Sequence, residues 1–272
     1  MKNLKKIIGF FICIISWETV SVLKDTPAIP SFAQIFKKTI QLLVTKEYLV
    51  YIKDSMSIVV TGILIAIFFG IVLGILVFEF KTIKEIVMPV IDTVRGISGL
   101  TLLPLLIILV GIESPSRIIV IFWTAWPAIM LSTIHSLDID KNITEAASLD
   151  GAIRIKMLTQ IKLPIASHGI LTGIRIGCSG GWISLIAAEM LGATSGLGYF
   201  LLYSSQAFLF TNVYATIIII AVLGGLMNLG LSLIQNRLKK YYEGSGKREK
   251  IFSNRIDFAI GNSVSYGVRQ QF

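Results

Sequence analysis

Long uninterrupted apolar blocks constrain this chain more than any other feature. A helix needs about 20 apolar residues to cross roughly 30 Å of hydrocarbon. Six segments read this way: 7–23, 56–78, 88–111, 117–136, 167–189 and 212–235. A chain folding around one water-soluble core would instead interleave apolar and polar side chains at helix or strand period. Charged residues are only 15% of the 272, against 54% hydrophobic, and soluble domains usually carry about 25% charged residues. The expected fold is all-α, a polytopic membrane bundle of about six transmembrane helices. The chain divides into 1–55 (an N-terminal anchor and an outer amphipathic loop), a core over 56–236, and a polar basic tail over 237–272.

The net charge of +9 does not point to nucleic acid, because the basic residues sit where topology is written. With the N-terminus inside, seventeen Lys and Arg fall on the cytosolic side, eight of them in the tail from Arg237 onward. Six fall outside: Lys24, Lys37, Lys38, Lys46, Lys53 and, at an edge, Arg117. Both termini are therefore expected in the cytosol of a bacterial inner-membrane protein. Lys2, Lys5 and Lys6 before the first apolar run also suit a signal peptide, but no small-x-small cleavage site follows, so a retained anchor is expected. Glu18 interrupts this first span. Residues 24–55 form the outer loop, in which Phe32 to Tyr51 is amphipathic enough to lie along the membrane surface.

No energy source is legible. Glu18, Asp92, Arg95, Glu113, Arg175 and Glu189 lie toward span ends, whereas a proton-coupled carrier needs carboxylates near mid-membrane. Asp92 and Arg95, three apart, can neutralise each other on one helix face. Arg175 either snorkels inward or lines a polar path; it and Arg95 are the candidate path-lining residues. Gly244-Ser245-Gly246-Lys247 lacks the spacing of an ATP-binding loop. Cys13 and Cys178 read as small buried side chains, and His135 and His168 lie far apart, so no catalytic residue, metal or cofactor is expected in this chain. Active transport would need work from a partner.

The connection 138–164 is built like a lever. Asn142 followed by Glu145 resembles a capped helix start, Ala146 and Ala147 keep the first turn slim, and Gly151 permits a bend. A basic amphipathic stretch, 152–161, follows, and Pro164 marks the restart into the next span. Such an element transmits force if a partner grips it; it would otherwise be an interfacial connector.

Glu145-Ala146-Ala147, Gly151, Ile161 and Leu163-Pro164 at this spacing resemble the EAA loop of binding-protein-dependent ABC importer permeases. The nitrate, aliphatic sulfonate and taurine branch is resembled in Pro27-Ala28-Ile29-Pro30 (a degraded form of that branch's Pro-x-Pro), Arg95-Gly96-Ile97-Ser98, Pro104-Leu105, Gly111, Ala188-Glu189-Met190, Gly192 and Gly196-Leu197-Gly198. Ser98 stands where that branch carries proline, which suggests a less kinked entrance to the third span. The resemblance implies a type I importer permease and an outer gate around Glu189, Met190, Gly192, Gly196 and Gly198, while the small span residues Gly62, Gly70, Gly74, Gly169, Gly173, Gly177, Gly224, Gly225 and Gly230 fit close helix packing in their own right. It further implies a second copy of the chain, two copies of an ABC ATPase carrying ATP and magnesium, and an extracytoplasmic solute-binding protein. The implied solute is a small anion; a pyrimidine precursor of thiamine, or a secondary carrier not driven by ATP, are the alternatives.

Overall fold

The computed structural model describes residues 2–24, 26–140, 143–145 and 154–237, and among them every regular element is helical. In chain order these are α1 (Lys2–Lys24), α2 (Phe32–Val44), α3 (Lys46–Glu79), α4 (Lys81–Val94), α5 (Leu103–Val110), α6 (Ser114–Leu137), α7 (Leu163–Gly192), α8 (Leu197–Gln206) and α9 (Phe210–Arg237). Four helical runs among the described residues are long and apolar enough to cross a membrane: α3, α6, α7 with the turn before it, and α9.

The centre is a trio in which α6 lies between α3 and α7. Their approach is set by glycine. A Cβ added at Gly62, Gly70 or Gly74 of α3 would lie 2.8 Å from the Cβ of Ile121, Ile129 or Thr133 of α6. On the other side of α6, Cβ atoms at Gly169 and Gly173 of α7 would collide with Ser136 and Ser132. In a bilayer no hydrophobic driving force separates helices from lipid, so such small-residue contact does much of the holding. The expected packing role therefore fits these five glycines and Gly224, which sits against the Trp182 indole; Gly225 and Gly230 instead face open space.

Three expectations need correction. The third apolar block, 88–111, is not one helix: α4 ends at Val94, and 95–102 runs through turns before α5. Gly96, Ser98 and Gly99 weaken the helix here, and Pro104 sits in the first turn of α5. The break also gains support from α6, whose Trp123 Nε1 donates to the freed Ile97 carbonyl at 3.0 Å. The break thus forms although Ser98 replaces proline. Hydropathy averages over such a break because its flanks stay apolar.

Residues 46–55, expected in the outer loop, are the first turns of α3. Tyr48 is 1% exposed, packs edge-on to Phe200 at 5.0 Å and donates to Thr216 Oγ1 at 3.3 Å. The amphipathic stretch 32–51 is accordingly split at Thr45, which separates α2 from α3.

Finally, Pro164 does not restart the helix. Arg154 to Gly192 is helical throughout, with a π-turn over Met157–Lys162. There the Leu163 N–H donates to the Leu158 carbonyl, five residues back. A wide turn just before a residue without an N–H lets the rod continue where a strict i−4 ladder would be interrupted.

Candidate functional site

Two regions lie at opposite ends of the central trio. At one end are the end of α6, the turn Met157–Lys162 and the C-terminal end of α3; at the other are the start of α3, the start of α6, the end of α7 and α8.

Glu189 lies in the last turn of α7, where it is 1% exposed. Its neighbours come from three other elements. Ser55 Oγ of α3 donates to both of its oxygens, at 2.7 and 2.9 Å. The Gly198 N–H, in the first turn of α8, donates to Oε2 at 2.8 Å. Arg117 of α6, 6% exposed, places Nη1 3.9 Å from Oε1 and donates to the Ser195 carbonyl at 3.3 Å. Ser55 also accepts from the Leu197 N–H at 2.9 Å, and Ser195 Oγ donates to Asp54. A buried carboxylate is tolerated only when paired and hydrogen-bonded in this way. The result is a latch: one carboxylate ties the end of α7 to α3, α6 and the start of α8.

The backbone of the 193–196 turn is shaped around that carboxylate. Gly196 has φ +115°, a conformation for which glycine is suited, and a Cβ there would collide with the Glu189 carboxyl group. A Cβ at Gly198 would meet the Ile186 carbonyl. Gly192 approaches only the flexible Ile107 Cδ1, and Met190 is half-buried beside the latch. Of the five residues expected around a gate, Glu189, Gly196 and Gly198 are thus brought into direct contact. The partners Ser55, Arg117, Asp54 and Ser195 were not anticipated. The available signal was depth: a carboxylate near a span end needs a cation or donors at equal height, and Ser55 and Arg117 lie in the first turns of neighbouring helices.

At the opposite end, Glu145 is exposed in a short helical segment at 143–145. Ile161, Leu163 and Pro164 are half-buried around the π-turn, and Lys162 Nζ lies 4.6 Å over the Phe78 ring of α3. Ala146, Ala147 and Gly151, with the expected cap at Asn142, lie outside the described residues. The two candidate path-lining arginines are not together. Arg95, exposed at the α4 break, pairs with Asp92 at 3.2 Å and borders a cavity of about 280 Å³ with Trp123 and Thr124. Arg175 is half-buried between α7 and α9, where its Nε donates to Asn228 Oδ1.

A bundle of apolar helices with a buried polar latch at one end, in a chain whose sequence carries an EAA pattern before α7, defines a polytopic membrane permease. The chain belongs to the family of binding-protein-dependent transport system inner membrane components, whose model matches residues 52–242. It is 32% identical over 235 residues to the taurine transport system permease protein TauC of Escherichia coli, covering 83% of this chain and 85% of the relative. It is 27% identical to the putative aliphatic sulfonates transport permease protein SsuC of Bacillus subtilis, with 86% and 87% covered. Against the nitrate import permease protein NrtB of Synechocystis the identity is 24%, with 86% and 89% covered. These likenesses put the chain in the nitrate, sulfonate and taurine branch. Its fold is that of solved ABC transporters. The MetNI methionine transporter in inward-facing conformations gives a TM-score of 0.58 at 17% identity, covering 69% of this chain and 94% of the matched chain. A bacterial alginate transporter in complex with its periplasmic protein gives 0.57 at 15%, covering 89% and 93%.

Proposed function

We propose that this chain is the membrane-spanning subunit of an ATP-driven importer for a small anionic solute of the nitrate, aliphatic sulfonate or taurine type. It works as a homodimer enclosing one path on its symmetry axis. Both termini and the 138–164 connection face the cytosol, where the connection docks on a separate ATPase that holds ATP and magnesium. The latch faces outward, where an extracytoplasmic binding protein delivers solute.

The observation that carries this reading is that one helix joins the two regions. From Pro164 of the EAA pattern to Glu189 of the latch, α7 is uninterrupted, a span of about 37 Å at 1.5 Å per residue. A partner that moves the connection moves α7, and the Glu189 end can follow only by leaving Ser55 and Arg117. ATP binding in the partner would draw two connections together and open the latch, and hydrolysis would let it re-form. This is alternating access between two states biased by nucleotide.

The test is reconstitution with the ATPase and binding protein in proteoliposomes. Uptake of labelled taurine, alkanesulfonate or nitrate should require ATP and the binding protein. Uptake driven by a proton gradient alone would overturn the proposal. In the same system Gly151→Trp should abolish stable association of the ATPase while the permease still inserts.

A further inference from the structure

The end of the bundle that carries the latch also carries α2, whose surroundings are not explained by transport. Three of its features are independent. First, α2 is fixed to α1: the Phe32 N–H donates to Glu18 Oε2 at 2.9 Å, Trp17 Nε1 to the Pro30 carbonyl at 3.1 Å, and Ser21 Oγ to the Ile29 carbonyl at 2.8 Å. The turn between α1 and α2 is tied to α9 as well, through Tyr214, which donates to the Ala28 carbonyl at 3.2 Å and meets the Trp17 ring edge-on at 5.3 Å. Glu18, which looked like a flaw in an apolar span, thus serves as a cap for the next helix, beside the Ser31–Gln34 capping box.

Second, α2 presents two apolar faces. Ile35 and Leu42 are buried against the protein, while Phe36, Ile40, Leu43 and Val44 form an exposed stripe at helical spacing. A helix with an outward apolar stripe beside lysines suits the headgroup–acyl boundary of a bilayer. Third, between α2, the end of α1 and the turn that joins them lies a cavity of about 750 Å³. Its lining includes Lys37, Lys38, Gln34, Gln41, Ser21 and Thr211, and no acidic side chain lines it among the described residues. Neither lysine is ion-paired to a described carboxylate.

We propose that this cavity holds the phosphate headgroup of an anionic phospholipid, whose acyl chains run down the stripe formed by Phe36, Ile40 and Val44. Lys37 and Lys38 supply the charge, and the neighbouring amide and hydroxyl groups supply hydrogen bonds to phosphate and glycerol oxygens. The stripe selects a lipid over a soluble anion, since only an amphiphile satisfies the lysines and the apolar face together.

The test uses the full-length permease in nanodiscs of phosphatidylcholine and phosphatidylglycerol with identical acyl chains, followed by native mass spectrometry of retained lipid. Phosphatidylglycerol should be retained preferentially, by about fivefold for each lysine engaged. Lys37→Gln with Lys38→Gln should remove the preference, Lys37→Arg with Lys38→Arg should keep it, and Lys53→Gln, exposed at the same end, should leave it unchanged. Phe36→Asn with Ile40→Asn should lower retention with both lysines intact. Unchanged retention in the double glutamine variant overturns the proposal. So does displacement of the lipid by millimolar inorganic phosphate, which would make this a site for soluble anions.

Discussion

Replacing Ser55 by alanine removes a single oxygen from the latch. That hydroxyl donates to both oxygens of Glu189 at 2.7 and 2.9 Å and accepts from the Leu197 N–H at 2.9 Å. A hydrogen bond to a charged group contributes about 1.5–3 kcal/mol, and a buried N–H left without a partner costs about 1–3 kcal/mol. Taking about 3 kcal/mol together, the closed arrangement loses roughly 100-fold in relative population, at 1.4 kcal/mol per factor of ten. If these contacts exist only while the latch is closed, the whole amount biases the equilibrium toward the open state. Basal ATP hydrolysis by the reconstituted complex, without binding protein or solute, should then rise by at least about tenfold, a share of that shift. Ser55→Thr, which keeps the hydroxyl, should behave like the native protein. The control is Thr124→Ala, which removes a hydroxyl pair with Ser184 (3.1 Å apart) elsewhere in the trio; it should lower thermal stability without raising basal hydrolysis. Equal basal rates in Ser55→Ala and native complexes, with only a drop in Tm, would refute the latch and leave Ser55 a packing residue.

Other substitutions separate the parts of the account. Gly196→Ala places a Cβ on the Glu189 carboxyl group at φ +115° and should cost about 1–3 kcal/mol in backbone strain alone. It should show raised basal hydrolysis and lower Tm, whereas Gly192→Ala, facing only a flexible side-chain end, should not. Gly70→Leu drives a side chain into Ile129 and the Trp126 carbonyl; it should abolish the monodisperse folded permease in size-exclusion chromatography, while Gly225→Leu, in open space, should elute as native. Arg175→Met, which removes the bond to Asn228, should lower solute uptake several-fold with ATPase association intact if Arg175 borders the path, and leave uptake unchanged if it only joins α7 to α9.

The sequence carried the helical class and the positions of the central rods, because span length and hydropathy depend on composition alone. Gly62, Gly70 and Gly74 could be read as packing residues from their spacing. What they meet required the register of α3 against α6, which no single segment contains. The start of α3 at Lys46 was illegible for a related reason: Tyr48 and Tyr51 look interfacial until Phe200 and Thr216 arrive from distant parts of the chain. The break at 95–102 had local signs in Gly96, Gly99 and Pro104, yet apolar flanks outweighed them. In the latch, Glu189 was visible as a charge near a span end, but Ser55 is an ordinary serine until it is placed beside a carboxylate 134 residues away.

A reversible lock across the latch tests the account at its centre. Asp54 and Ser195 are hydrogen-bonded through their side chains, so Asp54→Cys with Ser195→Cys, in a chain with Cys13 and Cys178 replaced, should oxidise to a disulfide that pins the turn before α8 to α3. Uptake by the reconstituted importer should stop on oxidation and return on reduction, with the ATPase still bound throughout. Full uptake with the disulfide intact would mean that the Glu189 end does not open during transport, and the coupling through α7 would be wrong.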